Sequence, residues 1–282
     1  MTTMKRRKKH RGRKPKWTLQ KADKYALYES AVYDPEADVD FVMRVHREKD
    51  RPEPSYLRED FAGTCRMAAV WVEGHENRRA VCLDLDPEPM EWGHKRHLQP
   101  LGESANRVDQ RLEDVLTATT PGVEVVTAFN FSYWIFKQRK TLLKYFKSVH
   151  TNLVGGGLFL LDIQGGPDVQ REGVDEREED GFWYIWNTGC YDAITGDSQC
   201  SISFEFPDDS RLTDAFVYDW RMWNLPEVRD ILTEAGFDNV EVYWEGVDED
   251  GEGNGEFQKQ DKADNEDAWI AYLAAWKAVP GQ

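Results

Sequence analysis

The segments RRAVCLDLD (78–86), VEVVTAFN (123–130) and LFLLDI (158–163) are largely apolar, and helix-like stretches separate them. A strand without polar alternation is buried on both faces. It needs helices above and below its sheet, which restricts the chain to βαβ units, right-handed crossovers and a mostly parallel sheet. The other core elements keep the alternation: a strand at 55–61, a helix from Thr64 to Trp71, a helix at 88–99, a strand at 107–113 and a helix at 137–153. Gly155, Gly156 and Gly157 are expected to stop that last helix.

The alternation breaks on either side of this core, which spans 55–166. Residues 21–54 hold two short helical stretches divided at Asp34-Pro35 and read as a helical cover. Residues 167–220 turn to short aromatic runs, FWYIW, SISFEF and AFVYDW, which predict an antiparallel β insertion serving as a lid or an oligomer contact. The core resumes over 221–282 with a helix at 225–236, ended by its glycine, and a strand at 240–246. AWIAYLAAWK (268–277) is alanine-rich enough for a helix on its own composition.

At 282 residues and 40% hydrophobic, the chain suits one large α/β domain with an insertion. No apolar run approaches the ~18 residues of a membrane span, and no secretory leader is expected behind the basic N-terminus. Cys65, Cys82, Cys190 and Cys200 form no CxxC pair, so free thiols in a cytoplasmic protein are expected.

Charge is unevenly spread. Residues 5–16 carry nine Lys or Arg and no acid; with those set aside, 27 basic residues face 52 acidic ones. A nucleic-acid contact through the tail (1–20) is one reading. So acidic a body repels a polyanion, which favours a disordered solubilising arm.

LREDFAGTC (57–65) lies where the first strand turns into a helix. In open parallel sheets, ligands bind at the carboxyl ends of the strands, where strand order reverses. Glu59 and Asp60 fall at the first such end and Asp84 at the second, 21 residues beyond Gly63. That spacing places an acid on a ribose, in a dinucleotide or in S-adenosylmethionine. A pyrophosphate also needs glycines for close backbone approach. Here Phe61 and Cys65 stand where glycines would be expected. S-adenosylmethionine carries no phosphate, and its ammonium and sulfonium favour nearby carboxylates.

In order, EDFAGTC, VCLDLD, LEDV (112–115), VVTAFNFSY (125–133), LVGGGLFLLD (153–162) and LTEAGFDNVEVYW (232–244) resemble the motifs of class I S-adenosylmethionine-dependent methyltransferases. More narrowly, the chain is similar to a bacterial subgroup whose first motif reads REDF-x-GT; the resemblance covers about 22–277. It implies a Rossmann-like seven-stranded sheet, mostly parallel with the last strand antiparallel, and so makes 268–277 a strand. It also implies that Glu59 and the backbone of Phe61, Ala62 and Gly63 hold the methionine moiety. Asp84 would take the ribose hydroxyls, Leu85 would pack on adenine, and Asp114 would receive the adenine amino group beside Val115. Phe61 and Cys65 depart from the glycines of the first motif, so a different bend is expected in this loop.

Methyl transfer is an in-line displacement, and the protein must align the reactants and dry the site. NFSY (130–133) lies at the end of the fourth strand, where Asn130 and Phe131 would border the cofactor. Asn130 can accept from an amino nucleophile, with Phe131, Tyr133 and Trp134 as walls; alternatively Asn130 only turns the chain. NFSY also resembles the Asn-Pro-Pro-Tyr motif of adenine and glutamine-amide methyltransferases, without either proline. Arg221, between Trp220 and Trp223, can grip a substrate carboxylate or serve a structural network, the latter being favoured. Tyr28, with Tyr25 and Tyr33, can close over the site or belong to the core. The expected acceptor is a small molecule. RNA, a protein amide, or cofactor binding without transfer are the alternatives, and a homo-oligomer is possible. No metal is expected: DEDGEGNGE (248–256) has Lys259 where a calcium loop needs Glu, and His94 and His97 lack a third ligand. That acidic stretch and REGVDEREEDG (171–181) read as solvated loops.

Overall fold

The computed structural model describes residues 16–248, 253–279 and 281; most of the basic run at 5–16 lies outside them. Two helices come first, α1 (Lys24–Val32) and α2 (Pro35–Arg47). They divide at Asp34-Pro35 because the Asp34 side chain accepts the Ala37 N–H while Pro35 opens α2 at a position that needs no donor. The core then runs β1 (Tyr56–Asp60), α3 (Arg66–Glu73), β2 (Arg79–Asp84), α4 (Pro87–Gly93), β3 (Val108–Leu112), β4 (Val123–Ala128), α5 (Arg139–Asn152) and β5 (Leu153–Gly165). The insertion holds β6 (Gly173–Glu179), β7 (Phe182–Tyr191), β8 (Asp197–Glu205) and β9 (Arg211–Arg221). Then follow α6 (Leu225–Ala235), β10 (Asn239–Val247), β11 (Gly253–Lys259) and β12 (Trp269–Trp276).

The main sheet has the order β11-β10-β12-β5-β4-β1-β2-β3. Strands β1 to β5 pair in parallel, while β12 runs antiparallel to both β5 and β10. Buried residues of α2 and α3 cover one face, and those of α5 and α6 cover the other. This is the parallel core expected from the apolar strands and the Rossmann-like arrangement implied by the resemblance, with 268–277 as the antiparallel strand. The insertion forms its own antiparallel sheet, β6-β7-β8-β9. Its aromatic residues Phe182, Phe204 and Phe206 bury a small core with Leu27 of α1.

Five expectations need correction. The sheet has eight strands rather than seven, because β11 pairs antiparallel with β10 at the edge. This strand takes up the end of the acidic stretch expected as a loop, residues 249–252 of which lie outside the described residues. Lys259 there pairs with Glu241, which Lys49 also meets at 2.7 Å. The acids near 171–181 are solvated, but their backbone is paired as the edge strand β6. The three glycines do not stop α5. They lie inside β5, where Gly156 turns left-handed (φ 81) and its N–H reaches the Lys277 carbonyl at 2.9 Å. A Cβ at Gly156 would lie 2.0 Å from the Arg51 guanidinium, so the glycine serves a close approach. Finally, the expected helix at 88–99 ends as an α-helix at Gly93 and continues as a π-turn and a 3₁₀ stretch.

Candidate active site

Strand β1 pairs with β2 on one side and β4 on the other, so chain order reverses there. A cavity of about 460 Å³ opens at this point. Its base is the loop after β1, with Asp84 and Asp86 beyond β2 and Phe129, Asn130 and Ser132 beyond β4. Tyr25 and Tyr28 of α1 and residues from Ala215 to Tyr218 of β9 close it from above, with Phe216 5.1 Å from Tyr28. Cover and insertion thus meet over the site.

The loop after β1 keeps left-handed backbone at alternate positions: Phe61 (φ 54), Gly63 (φ 49) and Cys65 (φ 55). Phe61 and Cys65 thus adopt a backbone conformation that glycine takes at no steric cost. A left-handed non-glycine residue costs about 1–2 kcal/mol. Packing offsets it: the Phe61 ring lies 5.6 Å from Tyr145 and 5.8 Å from Phe136, and Cys65 is fully buried against Met90. Gly63 has open space on its side-chain side.

Strand alternation divides the acids of β1. Glu59 points to the α3 side, where its carboxylate accepts from the Ala68 N–H at 2.9 Å and the Tyr33 hydroxyl at 3.2 Å. Burial pushes its pKa up to about 8, against the lowering effect of these donors. Asp60 and Arg58 point to the other side and pair with each other through two contacts, at 2.6 and 3.1 Å. Asp84 spans the loop, accepting from Gly63 N–H at 2.7 Å and Asp86 N–H at 2.9 Å. Lys24 is the single basic residue among those lining the cavity, and Glu88 holds it at 3.1 Å.

At the end of β4, Asn130 (φ 58) and Phe131 (φ 55) are consecutive left-handed residues. The buried Asp162 of β5 accepts both their N–H groups, at 2.7 and 2.8 Å. Burial pushes Asp162 up to about 7. Asp38 is likewise raised to about 7 by burial and then by Asp162, and accepts from the Tyr272 hydroxyl at 3.2 Å. Asn130 does turn the chain here, and it also lines the cavity.

The cavity brings together Tyr28, Glu59, Phe61, Ala62, Gly63, Asp84 and Asn130. Leu85, 68% exposed, follows β2 outside the lining. Asp114 caps the turn after β3, accepting from Leu116 N–H at 2.9 Å, and the carbonyl of buried Val115 accepts from Arg58. Neither lines the cavity. Phe131 packs on Trp134, while Tyr133 and Trp134 are fully buried in the core instead of walling the site. Arg221 lies outside too: it donates to the Lys137 carbonyl at 3.1 Å and Glu227 at 3.3 Å, and stacks 3.8 Å over Trp223. His94 meets Gln110 and His97 meets Glu29, so the two histidines diverge. Sequence reasoning missed Asp162 and Phe216. An acid inside the apolar run LFLLDI was a visible signal for Asp162; Phe216 lies in the aromatic run AFVYDW expected in a lid or oligomer contact, but nothing singled it out within that run.

No family model and no curated protein matches the sequence. Solved structures do match. An S-adenosylmethionine-dependent methyltransferase from Clostridium acetobutylicum superposes with a TM-score of 0.66 at 16% identity, over 90% of this chain and 97% of that one. A sugar N-methyltransferase from a Streptoalloteichus species gives 0.61 at 16% identity, over 91% and 93%. An amino pentose methyltransferase from Micromonospora echinaspora, solved with bound S-adenosylmethionine, gives 0.61 at 14%, over 88% and 95%. At these identities the likeness is one of architecture: the chain has the fold of S-adenosylmethionine-dependent methyltransferases.

Proposed function

We propose that this protein is an S-adenosylmethionine-dependent methyltransferase acting on a small amine. The observation that carries the reading is the cavity at the switch point, lined by Glu59, Asp84 and Asp86 over a loop with left-handed backbone at Phe61, Gly63 and Cys65. The donor set fits this cofactor: carboxylates suit a cationic ligand, and among the residues lining the cavity only Lys24 is basic, too little to hold a pyrophosphate. Glu59 would hold the ammonium and Asp84 the ribose hydroxyls, and the exposed Leu85 beside Asp84 would pack on the adenine, with the turn at Asp114 beyond it. When bound, S-adenosylmethionine supplies an electrophilic methyl group.

The chain's own part is orientation and exclusion of water. Tyr25, Tyr28 and Phe216 close the cavity above; Asn130, held by Asp162, presents an amide oxygen that accepts from the amine. An attacking neutral amine needs no general base in the displacement itself, whereas a hydroxyl does. No histidine lines the cavity, Asp60 is paired with Arg58, Asp86 caps α4, and Glu59 and Asp84 are assigned to the cofactor, which leaves no lining base for a hydroxyl and favours nitrogen as the acceptor atom. The relatives named as sugar N- and amino pentose methyltransferases point the same way.

The test is calorimetric titration of S-adenosylmethionine and S-adenosylhomocysteine, with NAD as control, followed by a panel of amines and matched alcohols. Micromolar cofactor binding with methylation of amines supports the reading. A folded protein that binds neither cofactor form overturns it.

A further inference from the structure

Strand β9 carries Phe216, Tyr218 and Trp220 at alternate positions, so the three share one face of the inserted sheet, and all three line the cavity. Tyr28 of α1 meets Phe216 at 5.1 Å, and Tyr218 stacks on Trp220 at 4.4 Å. The protein's own cation already uses this wall: the Lys24 ammonium sits 4.8 Å over the Tyr25 ring and 5.8 Å over Phe216, with Glu88 as its counter-charge. Two carboxyls stand behind the rings, since Asp162 and Asp38 both act on the Tyr28 hydroxyl through their charge. Asp162 accepts from two backbone N–H groups and Asp38 from the Tyr272 hydroxyl. Neither has a basic partner among the described residues. Buried carboxylates without a cation are costly, so a positive charge at this wall is favoured from behind the rings as well as by their faces.

We infer that this end of the cavity holds an alkylated ammonium group, which makes the acceptors secondary and tertiary amines. The site stands on the geometry alone; its role as the acceptor site rests on the methyltransferase reading above. An unsubstituted ammonium gives up strong hydration here, and ring faces return no full hydrogen bonds for it. N-methyl groups are less hydrated, fill a ring-lined space and keep the charge against the rings. A carboxylate or phosphate on the acceptor meets no free base, because Lys24 is taken by Glu88. In each transfer the lone pair of the neutral amine forms the N–C bond, the C–S pair returns to sulfur, and the positive charge passes from sulfur to nitrogen. A site suited to that product also accepts it as the next substrate once it has lost a proton to water, up to the quaternary ammonium.

The probe is choline, compared with 3,3-dimethylbutan-1-ol, its uncharged isostere, and with ethanolamine, which lacks the methyl groups. Saturation-transfer NMR on the full chain follows each ligand's own signals up to about 50 mM, which saturates a millimolar site. Each titration is run with and without S-adenosylhomocysteine. The expected result is saturable choline binding that persists with S-adenosylhomocysteine and is about fivefold tighter than either comparison ligand, the worth of one cation–π contact. Phe216→Leu and Tyr28→Leu, checked for folding by thermal unfolding, are each expected to reduce the preference for choline over its isostere; loosened packing alone weakens both ligands alike. Absent choline binding, equal binding of the isostere or of ethanolamine, displacement by S-adenosylhomocysteine, or an unchanged preference in either variant overturns the inference. Calorimetry of both cofactor forms on the same samples separates the two readings. Choline bound as expected without either cofactor form keeps the ammonium site and removes the transfer, whereas cofactor binding without choline removes only the site.

Discussion

Arg58 and Asp60 stand two residues apart on β1, share one face of the sheet and pair through two nitrogen–oxygen contacts with both side chains fully shielded from water. The Tyr145 hydroxyl donates to Asp60 at 2.7 Å, and Arg58 also reaches Thr120 and the Val115 carbonyl. The pair flanks Glu59 on the strand that leads into the loop carrying Gly63. Arg58→Met is expected to destabilise the protein by about 3–5 kcal/mol, because it leaves Asp60 buried and uncompensated. The double variant Arg58→Met/Asp60→Leu is expected to recover much of that loss, and urea unfolding of the full double-mutant cycle measures the coupling.

Asp84 holds the Gly63 N–H and faces the cavity, so it links loop shape to ligand binding. Asp84→Ala is expected to weaken S-adenosylmethionine about 10- to 100-fold, the worth of one or two charge-assisted hydrogen bonds. Calorimetry checks this, and an unchanged affinity removes Asp84 from the cofactor site.

Asn130 lines the cavity while Asp162 fixes its backbone. Asn130→Ala is expected to lower kcat by roughly 100-fold through lost orientation, with little change in cofactor affinity. Steady-state kinetics beside equilibrium binding separates the two. Equal losses in both would contradict an orienting role.

Glu59 supplies a pH signature. Its pKa of about 8 in the fold exceeds that of an unfolded glutamate, so the folded state binds more protons between about pH 4.5 and 8. Its contribution is full below that window, and stability falls as pH rises through it. Glu59→Gln is expected to flatten this decline in thermal unfolding without ligand. If the ammonium of the cofactor pairs with Glu59, binding near pH 7 releases a proton from that carboxyl. Calorimetry in buffers of different ionisation enthalpy is expected to show this release in wild type and its loss in Glu59→Gln.

The parallel core, the helical cover and the antiparallel insertion were legible because burial imposes periodicity: a strand covered on both faces reads as a continuous apolar run. The division between α1 and α2 was legible for a local reason, since Asp34 and Pro35 act within one turn. The pairing of β11 and β6 was not. Edge strands are solvated, and their acidic side chains look like those of loops while hydrogen bonds to β10 and β7 decide the backbone.

In the site, Glu59, Gly63, Asp84 and Asn130 could be named from their places at strand ends. Only the tertiary structure showed that Tyr133, Trp134 and Arg221 turn away from the cavity, and that Phe216, from a distant insertion, closes it. It also decided that Phe61 and Cys65 keep a left-handed backbone, because aromatic packing and a fully buried thiol meet a cost that the loop sequence alone advised against. Local chemistry and periodicity are written along the chain. Which side chains share a cavity depends on contacts between segments far apart, and those exist only once the sheet has formed.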